Sequence, residues 1–317
     1  MVLTMSVEPV NEQSISLAAE LLERGKLVAF PTETVYGLGA DAGNDLAVAS
    51  IFEAKGRPQF NPLIAHIADI SWVEKFAVMT PHAKLLAERF WPGPLTLVMK
   101  RTENCPISHL VSAGLDTVGV RFPVHPDAQK MLKAFGKPVA APSANISGTV
   151  SPTTAQHVAE GLADRVPLIL DGGACAVGVE STILDVSEDS PALLRAGGIG
   201  VEEIEDVIKK KLRRPEADPN APRSPGQMLS HYAPRLPVRL NAAFPEEGEA
   251  FLAFGKADNA TLNLSPSGNL KEAAAHLFAY MRELDNPKYK GIAVMPIPTF
   301  GLGLAINDRL KRAAYPH

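Results

Sequence analysis

The sequence predicts an α/β protein with a mixed sheet, followed by a smaller α/β unit. Short apolar runs alternate with amphipathic helical patterns from residue 14 onward. Several neighbouring strand-like runs have no helix between them, which favours a mixed rather than an all-parallel sheet. The length of 317 residues corresponds to about two domains. Six prolines between residues 215 and 237 predict a stiff, extended connector.

Helices are predicted where apolar residues recur on one helical face and the ends carry capping residues. Leu17 and Leu21 lie on one stripe before Gly25, and Pro152 after Ser151 is a typical helix start. The predicted helices of the first part are 16–26, 45–57, 81–90, 152–163 and 201–212.

Strands are predicted where short apolar runs are bounded by turn residues. In the first part these are 27–30, 62–67, 96–99, 118–122, 138–141, 168–171, 181–186 and 192–195. A small βαβα unit follows, with strands 238–241, 249–255 and 291–296 and helices 269–284 and 305–314. The chain therefore divides into a domain at 1–208, a linker at 209–236 and a C-terminal domain at 237–317.

Composition excludes several classes of protein. The 31 Lys and Arg against 35 Asp and Glu give a net charge of −4, so a polycation that coats nucleic acid is excluded and anion binding must be local. Cys105 and Cys175 lie far apart, which argues against a disulfide framework or a thiolate zinc site. No acidic cluster has metal-ligand spacing, so no protein-held metal site is predicted.

Targeting patterns point to a cytoplasmic protein without a membrane partner. The first residues, MVLTMSVEPVNEQ, lack the basic and apolar regions of a signal peptide. The uncharged stretches 138–159 and 291–307 are interrupted by proline or glycine, so neither is a spanning helix.

Polar residues follow the first two buried runs of the sequence. Thr32 and Thr34 come directly after a strand, and Lys55 and Arg57 flank Gly56 at a helix end. Each group has an ordinary structural interpretation, as a polar turn or as solvated cations near a helix C-terminus. Because Gly56 lets the chain bend, the two cations can also converge on an anion. Neither common glycine-rich nucleotide motif is present.

Three further groups have side chains suited to a small polar ligand. His66 lies in an apolar strand, as a core residue or a ligand contact, and Arg121 in another strand must meet a carboxylate because a lone buried guanidinium is costly. Ser143, Asn145 and Ser151 lie in a loop suited to phosphate or ribose, although a plain turn and a helix cap at Ser151 are open alternatives.

The last candidates lie at strand boundaries and in the connector. Ser181 and Arg195 place polar groups at strand ends. His231 and Tyr232 lie in the proline-rich connector, where an aromatic side chain has no obvious core to enter and could cover a ligand.

Taken together, the order and spacing of these motifs resemble the YrdC-like superfamily and, more closely, the long two-domain threonylcarbamoyl-AMP synthases. The strings that carry the resemblance are PTETVYGLG, KGRP, PLIAHI, FWPGPLTLV, VRFP, PSANISG, ESTI, LRAGG and SPGQMLSHYAP, and PTFGLGLAINDRLKRAA is similar to the family's C-terminal end. Lys55 and Arg57 match the superfamily's catalytic K-x-R element, and Ser143 and Asn145 its S-x-N element.

The resemblance implies a fold and an activity. The fold is a YrdC-like open twisted mixed sheet, with a small Rossmann-like C-terminal domain joined by the linker. The activity condenses L-threonine, bicarbonate or CO2 and ATP to threonylcarbamoyl-AMP and pyrophosphate. Mg²⁺ accompanies ATP and no other cofactor is implied. The product passes to threonylcarbamoyl-transferase machinery that modifies tRNA, with direct RNA contact weak or absent.

The resemblance also assigns residues to each substrate. Those implied to bind ATP are Arg57, Asn61, Thr117, Ser143, Ser151, Arg195 and Tyr232. Those implied to bind threonine or its carbamate are Thr34, His66, Arg121, Ala141 and Ser181, with Thr32 as a neighbour. Tyr232 would close over the nucleotide as a lid, and the string QMLS at 227–230 offers no basic side chain to the phosphates. Lys55→Ala is expected to remove activity with little effect on unfolding.

Two alternative functions remain within the same fold. One is a double-stranded-RNA-binding or ribosome-maturation module, which the net charge disfavours even though KKKLRR at 209–214 could give weak RNA affinity. The other is a carbamoyl-transferring protein of the hydrogenase-maturation type, whose zinc-finger modules would need more than two cysteines.

Overall fold

A computed structural model describes residues 5–216, 218, 222–226 and 231–316. The α-helices of this part are α1 (Glu12–Glu23), α2 (Asp45–Lys55), α3 (Pro81–Phe90), α4 (Pro126–Phe135), α5 (Ala155–Leu162), α6 (Val201–Ile208), α7 (Leu270–Leu284) and α8 (Leu302–Ala313). Its strands are β1 (Ser6–Pro9), β2 (Val28–Phe30), β3 (Gly37–Asp41), β4 (Ile64–His66), β5 (Leu95–Lys100), β6 (Thr117–Arg121), β7 (Val139–Ala140), β8 (Leu168–Asp171), β9 (Thr182–Asp185), β10 (Ala192–Arg195), β11 (Val238–Arg239), β12 (Glu249–Ala253), β13 (Leu262–Asn263) and β14 (Gly291–Val294). The QMLS string at 227–230 lies outside the described residues.

The first part of the chain forms one ten-stranded mixed sheet, as the sequence predicts. Its strand order is β1-β8-β2-β3-β7-β4-β6-β5-β9-β10. Strands β4 and β6 pair in parallel, as do β5 and β9, whereas β3 is antiparallel to both of its neighbours. Strand ends from distant parts of the sequence are therefore neighbours in the middle of the sheet.

The glycine-rich strand β3 was not predicted from the sequence, because glycine disfavours strands. Its position requires glycine for a steric reason. A Cβ on Gly39 would lie 2.8 Å from Val139 Cγ1 and 2.9 Å from a ring carbon of Phe30. Close packing against the neighbouring strands therefore outweighs the low strand propensity of this segment.

Helix α4 and strands β1 and β13 were also missed. Helix α4 begins at Pro126, with His125 as its N-cap, and buries Ala128, Leu132 and Phe135 on one face. This spacing is typical of an amphipathic helix, so the sequence did contain the pattern. Strands β1 and β13 have only four and two residues, too few for a periodic pattern.

Several predicted helix boundaries were wrong. Helix α1 runs from Glu12 to Glu23 rather than from 16 to 26, because Asn11 is its N-cap and accepts from the Ser14 amide. Helix α2 ends at Lys55 rather than at 57, since the next residue adopts a left-handed conformation. Helix α5 begins at Ala155 rather than at Pro152, because Thr154 is the N-cap and its hydroxyl accepts from the His157 amide. Helix α6 ends at Ile208, since the next residue adopts a left-handed conformation. Helix α8 begins three residues earlier than predicted, at Leu302.

The C-terminal part forms a four-stranded parallel sheet with the order β11-β14-β12-β13. Helices α7 and α8 pack on it, and the resulting core includes Val35, Val150 and Val179 from the first part of the chain. Loop residues of the first part therefore belong to the apolar core of the C-terminal part. Within the described part of the chain, no helix is long and apolar enough to cross a membrane.

Candidate active site

A cavity lies where the ends of β2, β4, β6, β7 and β10 come together, with about 520 Å³ of empty space, part of it open to solvent. Two described segments of the connector, 222–226 and 231–236, reach its wall. The lining residues are Thr32, Val35, Gly37, Arg57, Ile64, His66, Arg121, Ala141, Pro142, Ser143, Glu180, Ser181, Arg195, Pro225, Gly226, His231 and Tyr232.

The cavity brings together most of the residues that the sequence singled out. Those in its wall are Thr32, Arg57, His66, Arg121, Ala141, Ser143, Ser181, Arg195 and Tyr232. Those outside its wall are Thr34, Lys55, Asn61, Thr117, Asn145 and Ser151. The second group supports the wall or borders it, as the contacts below show.

Lys55 stabilises the loop that carries Ser143 and Asn145. Its side chain is 1% exposed, and Nζ donates to the backbone oxygens of Ser143 at 2.6 Å and Asn145 at 2.5 Å. Burial and then the nearby Arg57 cation lower the pKa of Lys55. Lys55 therefore fixes the K-x-R helix end to the S-x-N loop from behind the cavity wall.

These contacts change what is expected of Lys55→Ala. Two buried carbonyl groups lose their donor, so the free energy of unfolding should fall by about 3 kcal/mol rather than stay unchanged. Denaturant unfolding of the purified protein measures this loss. Lys100→Ala, at an exposed site on β5, is the control and should change stability by less than about 0.5 kcal/mol. Equal stability of Lys55→Ala and the unmodified protein would contradict the structural role.

Arg57 places a buried cation in the cavity wall. Nε donates to the backbone oxygen of Asn61 at 3.2 Å and Nη2 to that of Pro62 at 2.8 Å. Burial lowers its pKa to about 9, so the guanidinium is charged at neutral pH. Asn61 meets Arg57 through its backbone, and both belong to the loop that follows α2.

Arg121 meets a protein carboxylate that the sequence analysis did not identify. Its Nη2 donates to Glu33 Oε1 at 2.6 Å, and both side chains are buried. Arg121 Nε and Glu33 Oε2 have no hydrogen-bond partner among the described residues. His66 lies beside them, and burial together with the Arg121 cation lowers its pKa to about 3. The histidine is therefore neutral at physiological pH.

Arg195 connects the sheet to the connector. Nε and Nη2 donate to the backbone oxygen of Ser181 at 3.2 and 3.0 Å, and Nη1 donates to the backbone oxygen of Pro225 at 3.3 Å. Nη2 also reaches Ser181 Oγ, which is 2.7 Å from Thr96 Oγ1. One guanidinium thus holds the start of β9 and the connector together.

The remaining polar residues support neighbouring surfaces. Thr34 is fully buried, and its hydroxyl contacts Thr32 Oγ1 at 2.9 Å, so Thr32 is the member of this pair in the wall. Thr117 lines an adjoining cavity, which shares Ile64 and Pro225 with the first. Asn145 Nδ2 donates to backbone oxygens within its own loop.

Ser151 is neither a helix cap nor a wall residue. Its hydroxyl donates to Glu180 Oε1 at 2.6 Å, and Glu180 Oε2 accepts from Arg309 Nε at 2.9 Å. Burial alone would raise the pKa of Glu180, but Arg309, Arg195 and Ser151 together hold it below its ordinary value. Glu180 is therefore an ionised carboxylate in the cavity wall.

Tyr232 enters a core, contrary to the expectation from its place in the linker. It is 2% exposed and stacks on Phe278 of α7, with ring centroids 5.5 Å apart. The adjacent His231 is also buried, and burial lowers its pKa to about 3. The connector is thus anchored at this point by packing against the C-terminal domain.

Sequence reasoning did not predict roles for Glu33 and Arg309 at the site, and it did not predict the ion pair that Glu180 forms. Glu33 and Arg121 are 88 positions apart, and Glu180 and Arg309 are 129 apart. Local sequence patterns do not predict ion pairs between residues so far apart in the chain. The unexplained buried arginine at Arg121 was the one indication that a carboxylate had to be nearby.

The site combines three buried guanidinium groups, from Arg57, Arg121 and Arg195, with small hydroxyl side chains. Such a wall suits a ligand that carries several negative charges and a small polar body. The site and the fold define an enzyme class that binds anionic substrates in a mixed α/β sheet beneath a connector.

Comparisons with known proteins agree with this class. Residues 20–197 match the Sua5/YciO/YrdC family, whose description is "Telomere recombination", and residues 199–315 match the family "Threonylcarbamoyl-AMP synthase, C-terminal domain". The chain is 43% identical to the threonylcarbamoyl-AMP synthase of Pyrococcus abyssi, covering 97% of this chain and 96% of that protein. It is also 43% identical to that of Bacillus subtilis, covering 96% and 94%.

A solved structure extends the similarity to three dimensions. The crystal structure of Pyrococcus abyssi Sua5 complexed with L-threonine has a TM-score of 0.89 to this chain at 41% identity, covering 99% of this chain and 98% of that one. The chain belongs to the threonylcarbamoyl-AMP synthase family, in its two-domain form.

Proposed function

We propose that this protein is an L-threonylcarbamoyladenylate synthase that condenses L-threonine, bicarbonate or CO2 and ATP, and releases pyrophosphate. The observation that carries the proposal is that Arg57, Arg121 and Arg195 all line one cavity together with small polar side chains. The family relationship along nearly the whole chain supports it. Each end of the cavity offers side chains suited to one substrate.

Arg121 suits the carboxylate of threonine. Its Nε has no hydrogen-bond partner among the described residues, and its position is fixed by Glu33. A planar guanidinium can donate two hydrogen bonds to a carboxylate, which a lysine cannot reproduce. The neutral His66 and the hydroxyl of Thr32 provide polar contacts without adding charge.

Arg57 and Arg195 suit the phosphates of ATP. Once the threonine amine has formed a carbamate, a carbamate oxygen bonds to the α-phosphorus while the bond from that phosphorus to the pyrophosphate oxygen breaks. Negative charge then spreads over the departing phosphates, and buried guanidinium groups stabilise it strongly because they are already oriented. Positioning and charge neutralisation are therefore the main catalytic contributions of this chain.

Mg²⁺ enters the proposal as a companion of ATP. When bound it would neutralise phosphate charge. The described residues include no group of three His, Cys, Asp or Glu side chains arranged for a metal, so phosphate oxygens and water would supply its ligands. Glu180, a carboxylate in the wall, is already engaged by Arg309 and Ser151.

The connector would protect the adenylate from water. Pro225, Gly226, His231 and Tyr232 all belong to the cavity wall. A mixed anhydride of this kind hydrolyses readily, so a site that excludes water raises its yield. We place the reaction in the cytoplasm, with transfer of the product to tRNA-modifying machinery and little or no direct RNA contact.

The deciding experiment measures pyrophosphate release by the purified protein with each substrate omitted in turn. Release is expected only when ATP, L-threonine and bicarbonate are all present, and mass spectrometry should detect threonylcarbamoyl-AMP. Pyrophosphate release that continues without threonine would contradict the proposal. RNA binding without any adenylate formation would instead favour the RNA-binding alternative.

A further inference from the structure

Helix α8 of the C-terminal domain places an arginine directly behind the cavity wall. Arg309 is 1% exposed, and its Nε donates to Glu180 Oε2 at 2.9 Å. Its Nη1 donates to the backbone oxygen of Ala196 at 2.8 Å, and its Cζ lies 5.2 Å from the centroid of the Tyr232 ring. Arg309 itself is not part of the cavity wall. It therefore acts on the cavity through residues that are.

Among the residues that Arg309 contacts, Glu180 has the largest effect on an anionic ligand because it carries a negative charge. Glu180 belongs to the wall of the cavity in which the ATP phosphates are proposed to bind, and its two carboxylate oxygens are held by Ser151 and Arg309. An ionised carboxylate without a counter-charge would repel those phosphates, because charges interact strongly in a buried site. Arg309 is the cation that hydrogen-bonds to this carboxylate directly, with Arg195 as a second cation nearby, and it fixes the oxygen opposite to the one that Ser151 contacts.

We propose that Arg309 is a positioning residue for ATP. Arg309 neutralises Glu180 and holds its carboxylate against Ser151. The cavity therefore accepts phosphates only with the C-terminal domain in place. The inference rests on the proposed function, since it takes ATP as the ligand. It also gives the C-terminal domain a part in substrate binding. Asp308 accepts from Arg309 Nη1 at 2.8 Å and from Arg312 Nε at 3.0 Å, so two arginines and two carboxylates balance in this group.

The charged and titratable groups around Glu180 allow a pH test. They are Arg309 and Asp308 from α8, Arg195 from β10, Arg57 from the loop after α2, and His231 and Tyr232 from the connector. Burial lowers the pKa of His231 to about 3 and raises that of Tyr232, so both are neutral between about pH 6 and 8.5. Glu180 is then the group whose charge responds when Arg309 is removed.

The expected response follows from the sign of the shift. With Arg309 present, Glu180 is ionised and compensated throughout this range, so the KM for ATP should not depend on its titration. Without Arg309, burial is the largest influence left on the pKa of Glu180 and raises it, with Arg195 and Ser151 still opposing that rise; the carboxylate that forms as pH rises then repels the phosphates. The defect in ATP binding should therefore grow with increasing pH.

The test compares variants of the full chain by pyrophosphate release and by calorimetric ATP binding. Arg309→Met should raise the KM and Kd for ATP about tenfold near pH 8.5 and less near pH 6, with the KM for threonine within about twofold. Arg309→Met/Glu180→Gln should recover ATP affinity and a flat pH profile. If Arg309→Met does not fold, Arg309→Lys takes its place in the comparison. It keeps the positive charge, so the KM for ATP should stay independent of pH.

The control is Arg239→Met, which removes an arginine from an ion pair with Glu249 in the same domain, away from the cavity. It should leave both KM values unchanged. ATP affinity in Arg309→Met equal to that of the unmodified protein, or a double variant as weak as the single one, would overturn the inference. Failure of the unmodified protein to release threonine-dependent pyrophosphate would overturn the proposed function instead, and the calorimetric comparison would still decide the role of Arg309.

Discussion

Arg195→Met is expected to lower kcat/KM for ATP in threonine-dependent pyrophosphate release by about a thousandfold. The substitution removes a cation from the part of the cavity wall that is proposed to bind the ATP phosphates. It also breaks the hydrogen bonds that Arg195 donates to the backbone oxygens of Ser181 and Pro225. Steady-state assays at saturating threonine and bicarbonate measure the loss. Arg195→Lys should recover about tenfold at most, because a lysine cannot form the same fork of hydrogen bonds.

The control for this prediction is Arg213→Met. Arg213 also donates Nε and Nη2 to a single backbone oxygen, that of Ser190, but it is half-exposed and lies outside the cavity wall. Its activity should equal that of the unmodified protein. An Arg195→Met enzyme that retains more than about a tenth of the activity would refute the assigned role.

Arg121→Met should have two separate effects, one on threonine binding and one on stability. The KM for threonine should rise about a hundredfold, since the carboxylate of threonine loses the guanidinium that is proposed to bind it. The free energy of unfolding should fall by about 3–5 kcal/mol, because Glu33 is left buried without its ion-pair partner. Substrate titrations and denaturant unfolding measure the two effects independently.

A double variant separates the two roles of Arg121. Arg121→Met/Glu33→Gln removes both charges, so it should regain much of the stability while the KM for threonine stays high. Arg24→Met, which breaks an exposed ion pair with Glu20, is the control. It should lower the free energy of unfolding by less than about 1 kcal/mol. Normal threonine affinity in the double variant would show that Arg121 serves only to balance Glu33.

The extent of sequence-based prediction differs between the sheet and the site. Buried strands such as β8 and β10 were predicted to the residue, because short apolar runs between turn residues specify them locally. Strand β3 was not, since its glycines are required by Val139 and Phe30, which only the folded sheet brings near. Helix α4 was missed despite a regular apolar face.

Most candidate wall residues were recognised from motifs, but the partners that hold them were not. The motif around Lys55 gave no indication that its amine would contact the loop at Ser143. The resemblance ranked Thr34 above Thr32 as a threonine contact, whereas Thr32 is the one in the wall, because their placement depends on the turn that follows β2. Tyr232 showed no core partner because Phe278 is 46 positions away. Long-range pairing is set by tertiary packing, which local patterns do not encode.

The contact between Gly178 and helix α7 constrains how substrates enter and products leave. A Cβ at Gly178 would lie 2.3 Å from the backbone oxygen of Ala274 and 2.4 Å from Ala275 Cα, so the two backbones touch directly. Together with the apolar core that contains residues of both parts of the chain, this contact opposes a hinge motion between the two sheets. Access to the cavity would then require local movement of the connector segments 222–226 and 231–236, which contribute to its wall. The rate of turnover would then depend on movement of these connector segments rather than on separation of whole domains.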